Sequence, residues 1–255
     1  MLIAVIAVAF LGCKKDAETE KPKVNPNQGS GTFTKQIDDG SFENGWFTFD
    51  IIRNGNKEVF DDYKSATFLC LNKLRSLLDD NSGMDCNFAD LTAYADPNGH
   101  TGKCMKLVSG RIQETEESTP VFLPGAMATI SSTFINEFVF GGAINVKRPY
   151  TETPVAVKGY WKYTPVAGDS ASICVELYHN NDLIGIAKQV IKNDISDWTA
   201  FNIPMVMQGE GRTRVTPTHI AIVCSASAGY NFDDLLNCRG QVGSTLWLDD
   251  LQLEF

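Results

Sequence analysis

Paired carboxylates near both ends of the folded part, and tyrosines set between charges in its middle, are the residues of this 255-residue chain whose spacing can do chemistry. Near the start, Asp38-Asp39-Gly40-Ser41-Phe42-Glu43 offers carboxylates and a loop carbonyl just before a first strand; near the end, Asp249 and Asp250 sit together inside an apolar run. Within 155–163, Val155, Val157, Trp161 and Tyr163 share one parity while Lys158, Tyr160 and Lys162 share the other. Side chains alternate faces along a strand, so burying the valine side turns Tyr160 outward between two lysines. The same rule turns Glu176 and Tyr178 outward, opposite Ile173, Val175 and Leu177. A flat aromatic face with a few placed polar groups suits the apolar side of a pyranose ring and its hydroxyls. Tyr160, Tyr178, Lys158 and Glu176 are therefore expected to share one ligand-binding surface. Outward Tyr and Lys are also common on sandwich faces that bind nothing, and that reading stays open. Trp198 reads as a core or loop-packing residue, and Trp46 is open between that role and a platform.

Catalytic chemistry finds little footing. A glycosidase needs two carboxylates at a set separation, and no spacing here singles out a pair. The sequence has no G-x-S-x-G elbow, no H-E-x-x-H and no phosphate-binding loop, and nothing places a serine beside His100, His179 or His219. No catalytic residue is assigned, and the expectation is a protein that is not an enzyme. A net charge of -9 without a basic stripe excludes nucleic acid as a partner. The cysteines fall neither at framework spacings nor in metal-binding pairs; Cys104, Cys174 and Cys224 lie inside expected strands as small hydrophobes, and only Cys70 with Cys86 forms a candidate local disulfide.

The elements that must position these residues are mostly short alternating or apolar runs separated by Gly, Pro, Asn and Asp. That pattern predicts an all-β jelly-roll sandwich. Strands are expected near 46–52, 102–108, 126–130, 133–140, 155–163, 172–179, 183–191, 199–206, 218–225 and 244–255. In the last of these, Leu246 and Leu248 lie on one face but the next apolar pair is Leu251 and Leu253. A β-bulge at Asp249–Asp250 would return both pairs to the core. Near residues 61–79 the spacing of Phe68, Leu71, Leu74, Leu77 and Leu78, behind Asp61 and Asp62, predicts one helical insertion.

Residues 1–12 end in an uncharged apolar run, too short to span a bilayer as a helix, with the size of a signal-peptide h-region. The small residue before Cys13, with hydrophobic residues ahead of it, resembles the lipobox of bacterial lipoproteins, which implies acylation of Cys13. Residues 13–36 are polar, with Pro22, Pro26, Gly29 and Gly31, and read as a flexible tether. Residues 37–255 are left as one sandwich domain.

Three stretches, Gly40-Ser41-Phe42-Glu43-Asn44-Gly45 before a Trp, Gly102-Lys103-Cys104-Met105-Lys106-Leu107, and Gly243-Ser244-Thr245-Leu246-Trp247-Leu248-Asp249-Asp250-Leu251, resemble the galactose-binding-like jelly rolls of carbohydrate-binding modules. From about Asn136 onward, Arg148-Pro149, Gly159-Tyr160-Trp161-Lys162-Tyr163-Thr164-Pro165, Trp198-Thr199-Ala200-Phe201-Asn202-Ile203-Pro204 and Pro217-Thr218-His219-Ile220-Ala221-Ile222-Val223-Cys224-Ser225-Ala226-Ser227 resemble the lipoproteins with a carbohydrate metabolism domain, PCMD. The first resemblance implies a structural calcium held by Glu43, Asp249 and the Gly40 carbonyl, an oxygen set that suits the ion. Solvation of a bulge by Asp249 and Asp250, with Glu43 a surface residue, is the open alternative. Together the resemblances imply a lipoprotein, lipid-anchored in the outer membrane and exposed at the cell surface, that binds a polysaccharide or oligosaccharide. The alternatives are a structural or adhesive surface component with protein partners, and a glycan-active hydrolase.

Overall fold

The computed structural model describes residues 32–255 except 54–55, 64, 73–89, 113–118, 130–144, 210–214 and 231–236. Cys13, the apolar leader, most of the expected tether and the strand expected over 133–140 lie outside the described residues. No helix among the described residues is long and apolar enough to cross a membrane.

The elements in chain order are strands β1 (Thr34–Gln36), β2 (Trp46–Arg53), β3 (Asn56–Tyr63), β4 (Phe68–Cys70), β5 (Ala93–Asp96), β6 (Cys104–Val108), β7 (Gly110–Ile112), β8 (Val121–Leu123), β9 (Ala126–Thr129), β10 (Arg148–Pro149), β11 (Ala156–Thr164), β12 (Ala171–His179), β13 (Asp182–Ile191), β14 (Ile195–Pro204), β15 (Val206–Met207), β16 (His219–Ser225) and β17 (Thr245–Glu254). A first sheet runs β14-β11-β17-β6-β5, with β1 also on β17, and a second runs β15-β13-β12-β16-β9-β4, with β10 also on β16. The core lies between them, filled by Val157, Trp161, Tyr163, Phe201, Leu246, Leu248, Leu251 and Leu253 from the first sheet and Ile173, Val175, Leu177, Ile220, Ile222 and Cys224 from the second. Trp161 stacks on Phe201 at 4.7 Å, and the Tyr163 hydroxyl donates to the Ala226 carbonyl of the opposite layer. Each fully buried Leu, Ile or Phe contributes about 1.5–3 kcal/mol of transfer free energy.

The chain is thus the all-β sandwich its alternation predicts, and the bulge stands where the parity slips. Lys158 pairs with Gln252 and Tyr160 with Asp249, so β17 carries an extra residue against β11. Asp250 absorbs it at φ 51, a left-handed conformation Asp tolerates better than most residues. Gly159 faces the bulge with no side chain; a Cβ there would fall 3.0 Å from the Asp249 carbonyl oxygen.

Two expectations need correction. The helix expected near 61–79 does not begin at Asp61: Asp61, Asp62 and Tyr63 belong to β3, Phe68 opens β4, Leu71 stands in a turn and Asn72 is helical, while Leu74, Leu77 and Leu78 lie outside the described residues. Asp62 is buried and accepts the Tyr63 N–H at 2.8 Å, which is not the exposed first turn of a helix. The winning influence is the hairpin with β2, in register from Trp46↔Tyr63 to Arg53↔Asn56. The sequence between those strands is Asn54-Gly55, the dipeptide that favours tight hairpins. The tether is also shorter than expected, because Thr34–Gln36 pairs with Gln252–Glu254 and Phe33 stacks on Phe255. Cys70 is a buried free thiol 3.8 Å from Met105 Sδ rather than half of a disulfide, and Cys86 lies outside the described residues.

Candidate functional site

One edge of β17 is shared by two strands, β6 along Thr245–Leu248 and β1 along Gln252–Glu254. The bulge opens the gap between them, and the turn 99–103 fills it. Thr101 N–H donates to Asp249 Oδ2 at 2.9 Å and Lys103 N–H to Glu43 Oε1 at 3.1 Å, so both carboxylates grip the same turn. A side chain at Gly102, φ +63, would overlap the Glu43 carboxylate, and a Cβ at Gly99 would lie 2.8 Å from Asp249 Oδ2. Asp249 Oδ1 accepts the Asp250 N–H at 2.8 Å, and the Gly40 carbonyl accepts the Leu251 N–H at 2.9 Å. Asp249 is fully buried, and burial, then the neighbouring Asp250 charge, push its carboxyl above the ordinary value despite the N–H groups that oppose the shift.

These oxygens are of the hard kind calcium takes, and a bound cation would offset the desolvation cost of Asp249. Glu43, Asp249 and the Gly40 carbonyl therefore fit such an ion in kind. Among the described residues no group of three acidic, His or Cys side chains gathers around one point, so further oxygens would have to be backbone or solvent.

The same turn carries His100 onto the outward face of the first sheet. Its ring lies flat on Tyr160 of β11, centroids 3.4 Å apart and planes 11° apart, and its Nδ1 is 3.0 Å from Asp250 Oδ2. Thr101 Oγ1 donates to that same oxygen at 3.1 Å. Trp198 of β14 presents its edge to His100 at 6.4 Å and donates from Nε1 to the Asn98 carbonyl at 3.3 Å. Lys162 Nζ stands 4.7 Å from the Trp198 ring and 5.2 Å from that of Trp247, and Lys106 Nζ lies 5.5 Å from Trp247 on the other side. Trp247 Nε1 donates to Asp96 Oδ2 at 2.9 Å. Burial alone would raise the Asp96 carboxyl, but hydrogen bonds from the Asn98 backbone and the Trp247 indole, with the Lys106 charge nearby, hold it below its ordinary value. The result is a row across four strands, Tyr160, His100, Trp198, Lys162, Trp247 and Lys106, with the two indoles and His100 fixed by neighbouring oxygens and Tyr160 by the His100 ring.

Of the side chains expected to share a ligand surface, Tyr160 and Lys158 lie on this face. Lys158 is held by Glu254, Nζ to Oε1 2.6 Å. Tyr178 and Glu176 do not join them. They sit on β12 in the second sheet, where the Tyr178 hydroxyl donates to Glu176 Oε2 at 2.8 Å and Lys147 Nζ covers the ring at 3.9 Å. Parity within a strand tells inward from outward but not which sheet the strand joins, and consecutive β11 and β12 join different ones. Trp198, expected as a packing residue, is half-buried on the outward face instead. Trp46 is a packing residue: its ring meets Tyr63 at 4.9 Å and its Nε1 donates to the Phe42 carbonyl at 2.8 Å. Trp247 was legible in principle, since it opposes Leu246 and Leu248 in parity; His100 left no local signal, because a loop places it.

No family model matches this chain, and no curated protein does. Among solved structures it is similar to a "putative glycoside hydrolase" from Bacteroides thetaiotaomicron, with 19% identity, TM-score 0.54, and 82% of this chain and 70% of that one covered. A second protein of the same description, from Bacteroides vulgatus, matches with 18% identity and TM-score 0.52 over 86% of this chain and 96% of that one. The family 11 carbohydrate-binding module of a Clostridium thermocellum cellulase is a looser match, TM-score 0.37 at 11% identity, covering 88% of this chain and 95% of that one. Identities this low speak to fold, and the first two likenesses agree with the all-β sandwich.

Proposed function

We propose that this protein captures a glycan on the outward face of its first sheet, as a lipoprotein related to the PCMD group and held at the outer-membrane surface through acylated Cys13. The observation that carries the reading is the row of Tyr160, Trp198 and Trp247 with interleaved His100, Lys162 and Lys106 across neighbouring strands of one open face. Successive aromatic faces suit successive sugar rings, and the polar groups between them suit hydroxyls. Lys162 is a long flexible side chain between two indoles, so an arriving sugar displaces it from a ring face and gains a hydrogen-bond donor at its edge. Binding without catalysis is the reading we favour, since Asp96 and Asp250, the acids beside the row, are each committed to a neighbouring ring. A calcium at Glu43, Asp249 and Gly40 would lock the turn that carries His100.

Affinity electrophoresis of protein starting near Pro26, through a panel of plant and microbial polysaccharides, tests the reading. One or more polymers should retard the protein, and Trp247→Ala should weaken that binding about tenfold, the loss of a stacking contact of about 1.4 kcal/mol. Unretarded migration through every polymer, or retardation indifferent to Trp247, would overturn it. For the anchor, Cys13→Ala should abolish labelling by a fatty-acid analogue; persistent labelling would reject acylation there.

A further inference from the structure

A cleft of ≈ 80 Å³ opens elsewhere on the molecule, lined by Lys35, Gln36, Ile37 and Asp38 from one layer, Arg148, Tyr150, Ile220 and Ile222 from the other, and by Thr67 and Leu253. It has a structural origin. β16, like β17, shares one edge between two strands, β10 at Ile220 and β9 from Val223 onward. The cleft lies between the short strands β1 and β10, one from each sheet, where neither layer is closed by a full-length neighbour.

Its polar groups are what set it apart. Four side-chain polar atoms are buried without a hydrogen-bond partner among the described residues, Thr67 Oγ1, Tyr150 OH, Trp161 Nε1 and Ser172 Oγ, and two of the four belong to residues that line this cleft. A buried hydroxyl left unpaired carries a standing desolvation penalty that a ligand accepting or donating there removes. Thr67 is 1% exposed, so it serves nothing at the surface. Burial first, and then the nearby Glu152 carboxylate, push the Tyr150 phenol pKa up. The Arg148 guanidinium and the Asp38 carboxylate, at the same cleft, enter no ion pair or side-chain hydrogen bond among the described residues. Lys35 is spent on Glu152 at 3.0 Å. The walls are apolar: Ile37, Ile220, Ile222 and Leu253.

We propose that this cleft is a second binding site, separate from the aromatic face, and that it takes a small hydroxy-carboxylate such as the uronate residue of an acidic glycan. An uncommitted guanidinium is a fork that matches a carboxylate in two parallel hydrogen bonds. The Thr67 and Tyr150 hydroxyls supply further donors to the same group, and Asp38 accepts from a ring hydroxyl at the mouth. The volume holds more than one water's worth of space, enough for a carboxylate and the carbon bearing it, with the rest of the sugar outside. A neutral sugar would leave Arg148 unpaired, so the site discriminates by charge.

Isothermal titration of the protein with galacturonate and glucuronate, and with galactose as the neutral control, tests the proposal. A uronate should bind saturably and galactose at least about tenfold more weakly; Arg148→Gln should weaken uronate binding by about tenfold or more, as expected for a hydrogen-bonded charge. Thr67→Val and Tyr150→Phe remove only unpaired hydroxyls, so both should melt at or above the wild-type temperature while losing uronate affinity. Trp247→Ala should leave uronate binding intact, and Arg148→Gln should leave retardation by a neutral polymer intact, which separates this site from the aromatic face. Absence of saturable uronate binding, equal binding of galactose, or unchanged affinity in Arg148→Gln or in both hydroxyl variants would each overturn it.

Discussion

On the first sheet Lys158, Tyr160 and Lys162 of β11 face outward half-exposed, whereas at the middle of the second sheet the outward residues Cys174, Ala221, Val223 and Ala128 are as buried as the core. The difference is visible in the chain itself. Strand β11 alternates Lys158, Tyr160 and Lys162 with Val157, Trp161 and Tyr163, the pattern of a sheet with one wet face. Strand β16 runs Ile220-Ala221-Ile222-Val223-Cys224 without a polar interruption, the pattern of a strand covered on both sides. Ligand chemistry on a sandwich face needs the first pattern, since a platform must keep part of its ring surface in water while its other edge is packed. The middle of the second sheet is insulation by comparison, and its cysteines behave so: burial and then the Glu176 charge push the Cys174 thiol up to about 12, far from a reactive thiolate.

Placing a charge on each face breaks or upholds this contrast most directly. Val223→Lys buries an ammonium without a partner and should destabilise the protein by at least about 3 kcal/mol. Lys162→Gln, on the open face, loses only its contacts with two indoles and should change stability by less than about 1 kcal/mol. Urea denaturation of the two variants measures both. A Val223→Lys protein as stable as the wild type would mean that the second face is open too.

The turn 99–103 gives the next largest effect. The carboxylate that grips it, Asp249 of β17, has a raised folded-state value while an unfolded Asp titrates at about 3.9, so the native state holds the proton more tightly than the unfolded chain. The stability this confers is fully present below the unfolded value and is lost as pH rises through the folded one, leaving the ionised carboxylate at a cost in metal-free protein near neutrality. A cation at the turn reverses that cost. Millimolar calcium should raise the melting temperature at pH 7, by about 2.7 kcal/mol in stability when the ion is a hundredfold above its Kd. The gain should shrink as pH falls toward the Asp249 value and vanish in Asp249→Asn and Glu43→Gln. A melting curve indifferent to both calcium and chelator would remove the ion and leave the two carboxylates as ligands of the turn alone.

How far the sequence reaches follows the same divide. Within a strand, alternation is a local property, so the inward sets Ile173/Val175/Leu177 and Leu246/Leu248/Leu251/Leu253, and the bulge that reconciles the latter, are readable from spacing. The helix start read at Asp61 and Asp62 misled where Asn54-Gly55 and the pairing of Trp46 with Tyr63 set a hairpin instead, a competition between a local signal and a tertiary partner. The aromatic row was half legible. Tyr160 follows from parity, but Tyr178 shares that parity on the other layer, and His100 reaches Tyr160 only because Asp249 and Glu43 hold its turn. Sheet membership and loop placement are long-range facts that no spacing along one strand encodes.

Tyr160 and Tyr178 make the smallest and sharpest comparison, because the same reasoning assigned both to a ligand. Tyr160 stacks on His100 within a row of rings on the open face, while Tyr178 lies under Lys147 and is tied to Glu176 on the other sheet. Each ring is partly packed, so Tyr160→Ala and Tyr178→Ala should both fold and both lose some stability. Their binding should part company. With a polysaccharide that retards the wild type, Tyr160→Ala should weaken binding about three- to tenfold, the worth of a stacking contact of about 0.7–1.4 kcal/mol, and Tyr178→Ala should leave it unchanged. Equal losses in the two variants would mean that the effect travels through stability rather than contact, and the row would lose its standing as a platform. A loss confined to Tyr178→Ala would move the glycan to the second sheet, against the burial that now separates the two faces.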